Sequence, residues 1–148
     1  MTRANLNFIY QKAGEMPRTL FHYQNGDQYP TGIRDDYKIL DFLAVPFTPK
    51  SFKKWIKDNY RVSVRKRAEN KENGTAIEYS EFIEEPAKVE NLGEGGQPKI
   101  YYTDGFITDY SYCFDENHGD NKVLVYKWAK LIFEGDREKA IKWFKKQK

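Results

Sequence analysis

TLFHYQNGDQYPTGI, residues 19–33, contains the change of period that decides the fold. From Leu20 to Tyr23 the side chains alternate as in a strand, with Leu20 and His22 on one side and Phe21 and Tyr23 on the other. The alternation stops at Asn25-Gly26-Asp27, where glycine tolerates the positive φ of a chain reversal. Tyr29-Pro30 then makes a corner, because proline fixes its own φ and pushes the preceding residue towards extended geometry. Thr31-Gly32 opens a helix. Upstream, Asn5 to Gln11 (NLNFIYQ) is a second strand-like run, separated from Arg18–Gln24 by Lys12 to Pro17. Two strands this close in sequence most simply form an antiparallel hairpin.

Downstream of the corner, Ile33, Tyr37, Leu40 and Ala44 recur at helical intervals, with Asp35 and Asp36 in the first turn and Pro46 as the stop. Thr48-Pro49 starts a second helix as N-cap and first helical residue. Its apolar stripe is Phe52, Trp55, Ile56 and Tyr60, and lysines cover its other faces. Arg61 to Arg67 reads as a short strand, residues 68–75 as a polar loop and Ile77 to Ile83 as another strand. Glu84 to Pro98, with its glycines, prolines and glutamates, reads as a long mobile surface loop. Asp104-Gly105 is a two-residue hairpin signal between Lys99–Thr103 and Phe106–Phe114. After a polar loop at Asp115–Asn121, a strand runs from Lys122 to Trp128 and on towards Phe133. Gly135-Asp136 caps a final helix with Ala140, Ile141 and Phe144 inward. Strands that cluster instead of alternating with helices predict an α+β fold. We expect a single domain over 1–148: an antiparallel sheet of about five strands, with two or three helices packed on one face.

Composition and charge narrow the function classes. The 148 residues are 32% charged and 16% aromatic, and they suffice for one continuous core. No apolar run approaches the roughly 18 residues that span a bilayer, and the N-terminus has no apolar signal core. A lone cysteine, Cys113, excludes an internal disulfide and a cysteine-rich metal cluster. These features predict an intracellular, soluble protein. The net charge of +3 conceals segregation: residues 50–71 hold nine basic side chains against two acidic, and residues 72–136 hold five against fourteen. Such asymmetry points to a charged partner, or to basic and acidic segments that neutralise each other on folding.

No catalytic constellation stands out, and nothing in the sequence calls for a metal or cofactor. His22 with Asp27 and Tyr29 forms a candidate notch, either a general base oriented by a carboxylate or a set of ligand contacts. The alternative for His22 is a half-buried strand histidine bonded to a turn carbonyl. His118, with Asp115, Glu116 and Asp120, lacks the spacing of a calcium loop. Cys113 reads as a buried small hydrophobe. Gly93-Glu94-Gly95-Gly96 lacks the Lys-Ser/Thr of a phosphate loop, and no serine sits in a nucleophile elbow. The basic segment offers Lys50, Lys53, Lys54, Lys57, Arg65 and Arg67 as binding residues. Helical spacing places Trp55 and Tyr60 on the buried stripe, so they are poor stacking platforms.

The residues Thr2-Arg3, His22, Gly26-Asp27, Tyr29-Pro30 and Gly32 resemble a pattern found in small, poorly characterised proteins of phages and other mobile elements. In that pattern a Thr-Arg start and a short hairpin lead to a His-x-Asp-Gly-Tyr-Pro-x-Gly corner. Here the corner is longer and its Asp and Gly are inverted. The resemblance covers about forty residues and implies a mobile-element origin and a role against host defence. The expected function is a small non-catalytic binding protein in the host cytoplasm, acting on a host protein or a small ligand. The alternatives are a nucleic-acid-binding protein using residues 50–71, and a small hydrolase using His22.

Overall fold

A computed structural model describes residues 3–25, 38–72, 74–100, 102–103, 106–116 and 121–147. Asp27, Tyr29, Pro30, Asp104, Gly105 and His118 lie outside the described residues. The first hairpin forms as its alternation predicts. Strand β1 (Arg3–Tyr10) pairs antiparallel with β2 (Arg18–Asn25), and Leu6 lies opposite His22. Their neighbours make a six-stranded sheet in the order β10-β9-β8-β1-β2-β5. Strand β5 is Glu90–Glu94, β8 is Tyr110–Asp115, β9 is Lys122–Lys127 and β10 is Lys130–Gly135.

The α+β class stands, but the sheet is mixed and larger than expected. β1 and β8 run parallel, with Leu6 beside Tyr112 and Phe8 beside Phe114. The cause is how the chain travels between edges. β5 extends the β2 side of the sheet, and the chain must then reach β8 on the far side of β1. Joining two parallel strands takes a crossover of a dozen or more residues. The segment between β5 and β8 supplies it; its described residues include two short strands, β6 (Tyr102–Thr103) and β7 (Phe106–Ile107), that pair antiparallel.

Buried amides hold that crossover in place. Asn7 Nδ2 donates to the Lys99 carbonyl at 3.0 Å, and the Lys99 N–H donates to Asn7 Oδ1 at 2.9 Å, so one side chain pairs both backbone groups of one residue. Beside it, Asn5 Nδ2 donates to Thr108 Oγ1 at 3.2 Å, and Ser111 Oγ donates to the Ile100 carbonyl at 2.9 Å. Asn5, Asn7, Thr108 and Ser111 are all buried. Their polar groups escape the cost of desolvation because each has a partner.

The opposite face carries the helices: α1 (Ile39–Leu43), α2 (Pro49–Asn59) and α3 (Arg137–Lys146). The alternate residues of β1 and β8 meet them in an aromatic core. Phe8 stacks on Phe52 at 5.2 Å, Phe42 stacks on Trp55 at 4.7 Å, and Phe114 meets Phe42 edge-on at 5.0 Å. These spacings are those of favourable ring pairs. The caps read from sequence form. Thr48 Oγ1 accepts from the Ser51 N–H at 3.0 Å, and an Asp136 carboxylate oxygen accepts from the Lys139 N–H at 2.8 Å.

Four expectations need correction. The helix read from Ile33 to Ala44 is described only as α1, which starts at Ile39 because Lys38 takes a left-handed φ of 59°, and its expected start at residues 31–36 lies outside the described residues. Of the expected polar loop at 68–75, residues 68–72 and Thr75 instead extend a long ribbon, in which β3 (Arg61–Glu72) pairs antiparallel with β4 (Thr75–Pro86) as a separate two-stranded sheet. Residues 84–98 are not one loop, because they contain the end of β4 and all of β5, which takes the free edge of β2. The strand from Lys122 does not continue to Phe133. It reverses at Trp128-Ala129 and returns as β10.

Candidate functional site

The basic segment does not fold into one patch; α2 and the ribbon divide it among three surfaces. Lys53 and Lys57, four residues apart, share a face of α2. Both line a cleft of about 650 Å³ together with Glu85, Pro86, Ala87, Lys88 and Val89. The ribbon's base shapes this cleft. There the Ala87 N–H donates to the Tyr60 carbonyl at 3.0 Å, which ties the chain leaving β4 to the end of α2. Arg61 strengthens that junction by donating to the Lys57 and Tyr60 carbonyls, at 3.0 Å each.

Electrostatically the cleft is cationic over an apolar floor. Lys53, Lys57 and Lys88 are exposed, Ala87 is buried and Val89 is partly buried. Glu85 is the one carboxylate among these lining residues, and Lys66 Nζ sits 2.7 Å from it. Hydrogen bonding to Lys66 holds the Glu85 carboxyl below its ordinary range, and the same contact raises Lys66. Glu85 is thus already matched by a lysine outside the cleft, which leaves three ammonium groups for a ligand. Sequence reading missed Lys88 and the floor because residues 84–98 read as a loop. The only trace in the sequence was a lone lysine in a stretch of glutamates.

The remaining basic residues lie elsewhere. Lys54 pairs with Asp58 along the helix, and both line a separate groove of about 470 Å³ with Lys38, Asp41 and Trp55. Lys50 is exposed at the start of α2. Arg65 and Arg67 project from the ribbon face that also carries Phe82. Phe82 lies directly opposite Arg65 and is 74% exposed.

His22 lies on the helix-facing side of β2 and is not among the described residues that line the cleft. It is 6% exposed, its ring meets Tyr60 edge-on at 5.5 Å, and its Nε2 lies 2.7 Å from Gln24 Oε1. Burial lowers its pKa, partly offset by the Gln24 bond, so the neutral imidazole is favoured. Cys113 lies under the crossover on the back face. Burial, with Asp115 nearby, pushes its thiol up to about 12.

No protein family matches this chain, and neither does any curated protein or solved structure. No helix among the described residues is long and apolar enough to cross a membrane.

Proposed function

We propose that this chain is a non-catalytic binding protein that takes a small anion with an apolar body in the cleft between α2 and residues 85–89. One observation carries this reading: lysines from two separate elements line a single concave site over an apolar floor. Its volume falls within the roughly 300–1,000 Å³ typical of small-molecule sites. Apolar contact supplies affinity there, and the ammonium groups select for negative charge. The resemblance of the N-terminal corner to phage and mobile-element proteins adds the setting. The ligand would be a host molecule met in the host cytoplasm, and its capture would counter a host defence.

The test is a thermal-shift and calorimetric series with 1-naphthyl phosphate, inorganic phosphate and neutral 1-naphthol. Naphthyl phosphate should bind best, because it alone satisfies both rim and floor. The triple variant Lys53→Glu, Lys57→Glu, Lys88→Glu should bind it about tenfold more weakly or worse, the factor that ~1.4 kcal/mol provides. Its melting temperature should stay near wild type, since all three side chains are exposed. Equal binding by wild type and the triple variant contradicts the reading.

A second reading has its own observation. Phe82 stands exposed on a two-stranded ribbon with Arg65 opposite it, a stacking surface beside phosphate-binding groups. On this reading the chain binds nucleic acid along the ribbon, with affinity that falls steeply as salt rises. Phe82→Ala with Arg65→Glu would abolish that binding and leave the cleft intact. Flat salt dependence would remove it.

A further inference from the structure

The Glu85 carboxylate on the cleft wall is held from outside the cleft. In the ribbon register Val62 faces Glu85, Val64 faces Ile83 and Lys66 faces Glu81, so these six side chains share one ribbon face. Lys66 is therefore placed against Glu81, yet its Nζ lies 2.7 Å from Glu85 Oε1, beyond the Val64–Ile83 pair. Lys66 is not among the described residues that line the cleft, whereas Glu85 shares that lining with Lys53, Lys57 and Lys88. Lys66 does most to lower the Glu85 pKa, through its hydrogen bond and its charge, and Lys88 lowers it further by charge alone. Glu85 thus already feels a cation of the cleft. A carboxylate in that position neutralises neighbouring ammonium groups and repels an incoming anion.

We propose that Lys66 sets the charge selectivity of the cleft as a positioning residue: it holds the Glu85 carboxylate and so keeps Lys53, Lys57 and Lys88 for an anionic ligand. This inference rests on the cleft being the anion site argued above. Without the Lys66 ammonium, Glu85 turns to the cations with which it shares the cleft, Lys88 three residues along the chain and Lys53 and Lys57 on α2. The cleft then carries its own counter-ion, which an anion must displace. A neutral ligand of the same shape still meets the apolar floor and is indifferent to the change. The effect is modest, because the Lys66 and Glu85 side chains are 51% and 40% exposed and water screens the pair.

The experiment is calorimetry of 1-naphthyl phosphate and 1-naphthol on the full chain, as wild type and as Lys66 and Glu85 variants. Lys66→Met should weaken naphthyl phosphate about threefold and leave naphthol unchanged, so discrimination between the two falls by the same factor. Lys66→Gln should match Lys66→Met, which guards against a packing effect of either side chain. Lys66→Arg keeps a cation against Glu85 and should retain wild-type binding. Glu85→Gln alone should stay within about twofold of wild type, because the charge it removes is already matched. In the Glu85→Gln background Lys66→Met should have no further effect, the coupling that identifies action through Glu85. Wild type that binds naphthyl phosphate no better than Lys66→Met overturns this inference alone. So does an equal loss of naphthol, or an equal loss in the Glu85→Gln background. Wild type that binds no naphthyl phosphate removes the anion-site reading, and this inference with it.

Discussion

His22 titrates against the fold. Its neutral form is favoured in the folded chain because burial penalises the imidazolium, while the unfolded chain takes up a proton as pH falls through the ordinary value of 6.5. Below that pH the unfolded state therefore binds more protons, and stability is lost. Denaturant midpoints should be flat from pH 8 to 7 and should decline as pH falls below 6.5, and His22→Leu should remove the step. A midpoint that rises on acidification would contradict the burial seen here. Cys113 makes a second residue-scale prediction. With a thiol held near 12 and only 2% exposed, it should resist a thiol reagent at pH 8 in the folded protein and react fully in denaturant. Its burial was readable from its residue type and its central place in the strand, since a free cysteine behaves as a small buried hydrophobe. The environment of His22 was not, because the Tyr60 ring packed on it comes from the far end of α2.

Among the elements, those fixed by local chemistry were the legible ones. Thr48-Pro49 and Gly135-Asp136 announced helix starts because capping needs particular side chains at particular offsets, and both caps form. Thr48→Ala should therefore cost about 1 kcal/mol in chemical denaturation, the usual value of a lost N-cap. The β9–β10 turn was illegible for the converse reason. Trp128 and Ala129 adopt φ of 52° and 62°, left-handed values that favour glycine and asparagine, so no turn signal marks the position. That conformation is strained for a residue with a Cβ, and Ala129→Gly should stabilise the chain by about 1 kcal/mol. A destabilised Ala129→Gly variant would mean the turn is built differently. β5 was hidden because its identity comes from the free edge of β2 and not from its own Glu-Asn-Leu-Gly-Glu sequence.

At the scale of the whole molecule, class and topology parted company. Clustered strands correctly indicated α+β, yet the parallel β1–β8 pair depends on a crossover fastened by Asn5 and Asn7, and isolated asparagines in a strand carry no such message. Charge behaved likewise. A basic block at 50–71 was plain, but its division into a cleft, a groove and a ribbon face came only when α2 and β3 set its residues on different surfaces. The proposed binding of a small anion in the lysine-rimmed cleft is checked residue by residue by amide NMR during titration with 1-naphthyl phosphate. Shifts should concentrate at Lys53, Lys57, Glu85 and residues 87–89 and saturate together. Shifts confined to the Arg65–Phe82 face, or none at millimolar ligand, would contradict it.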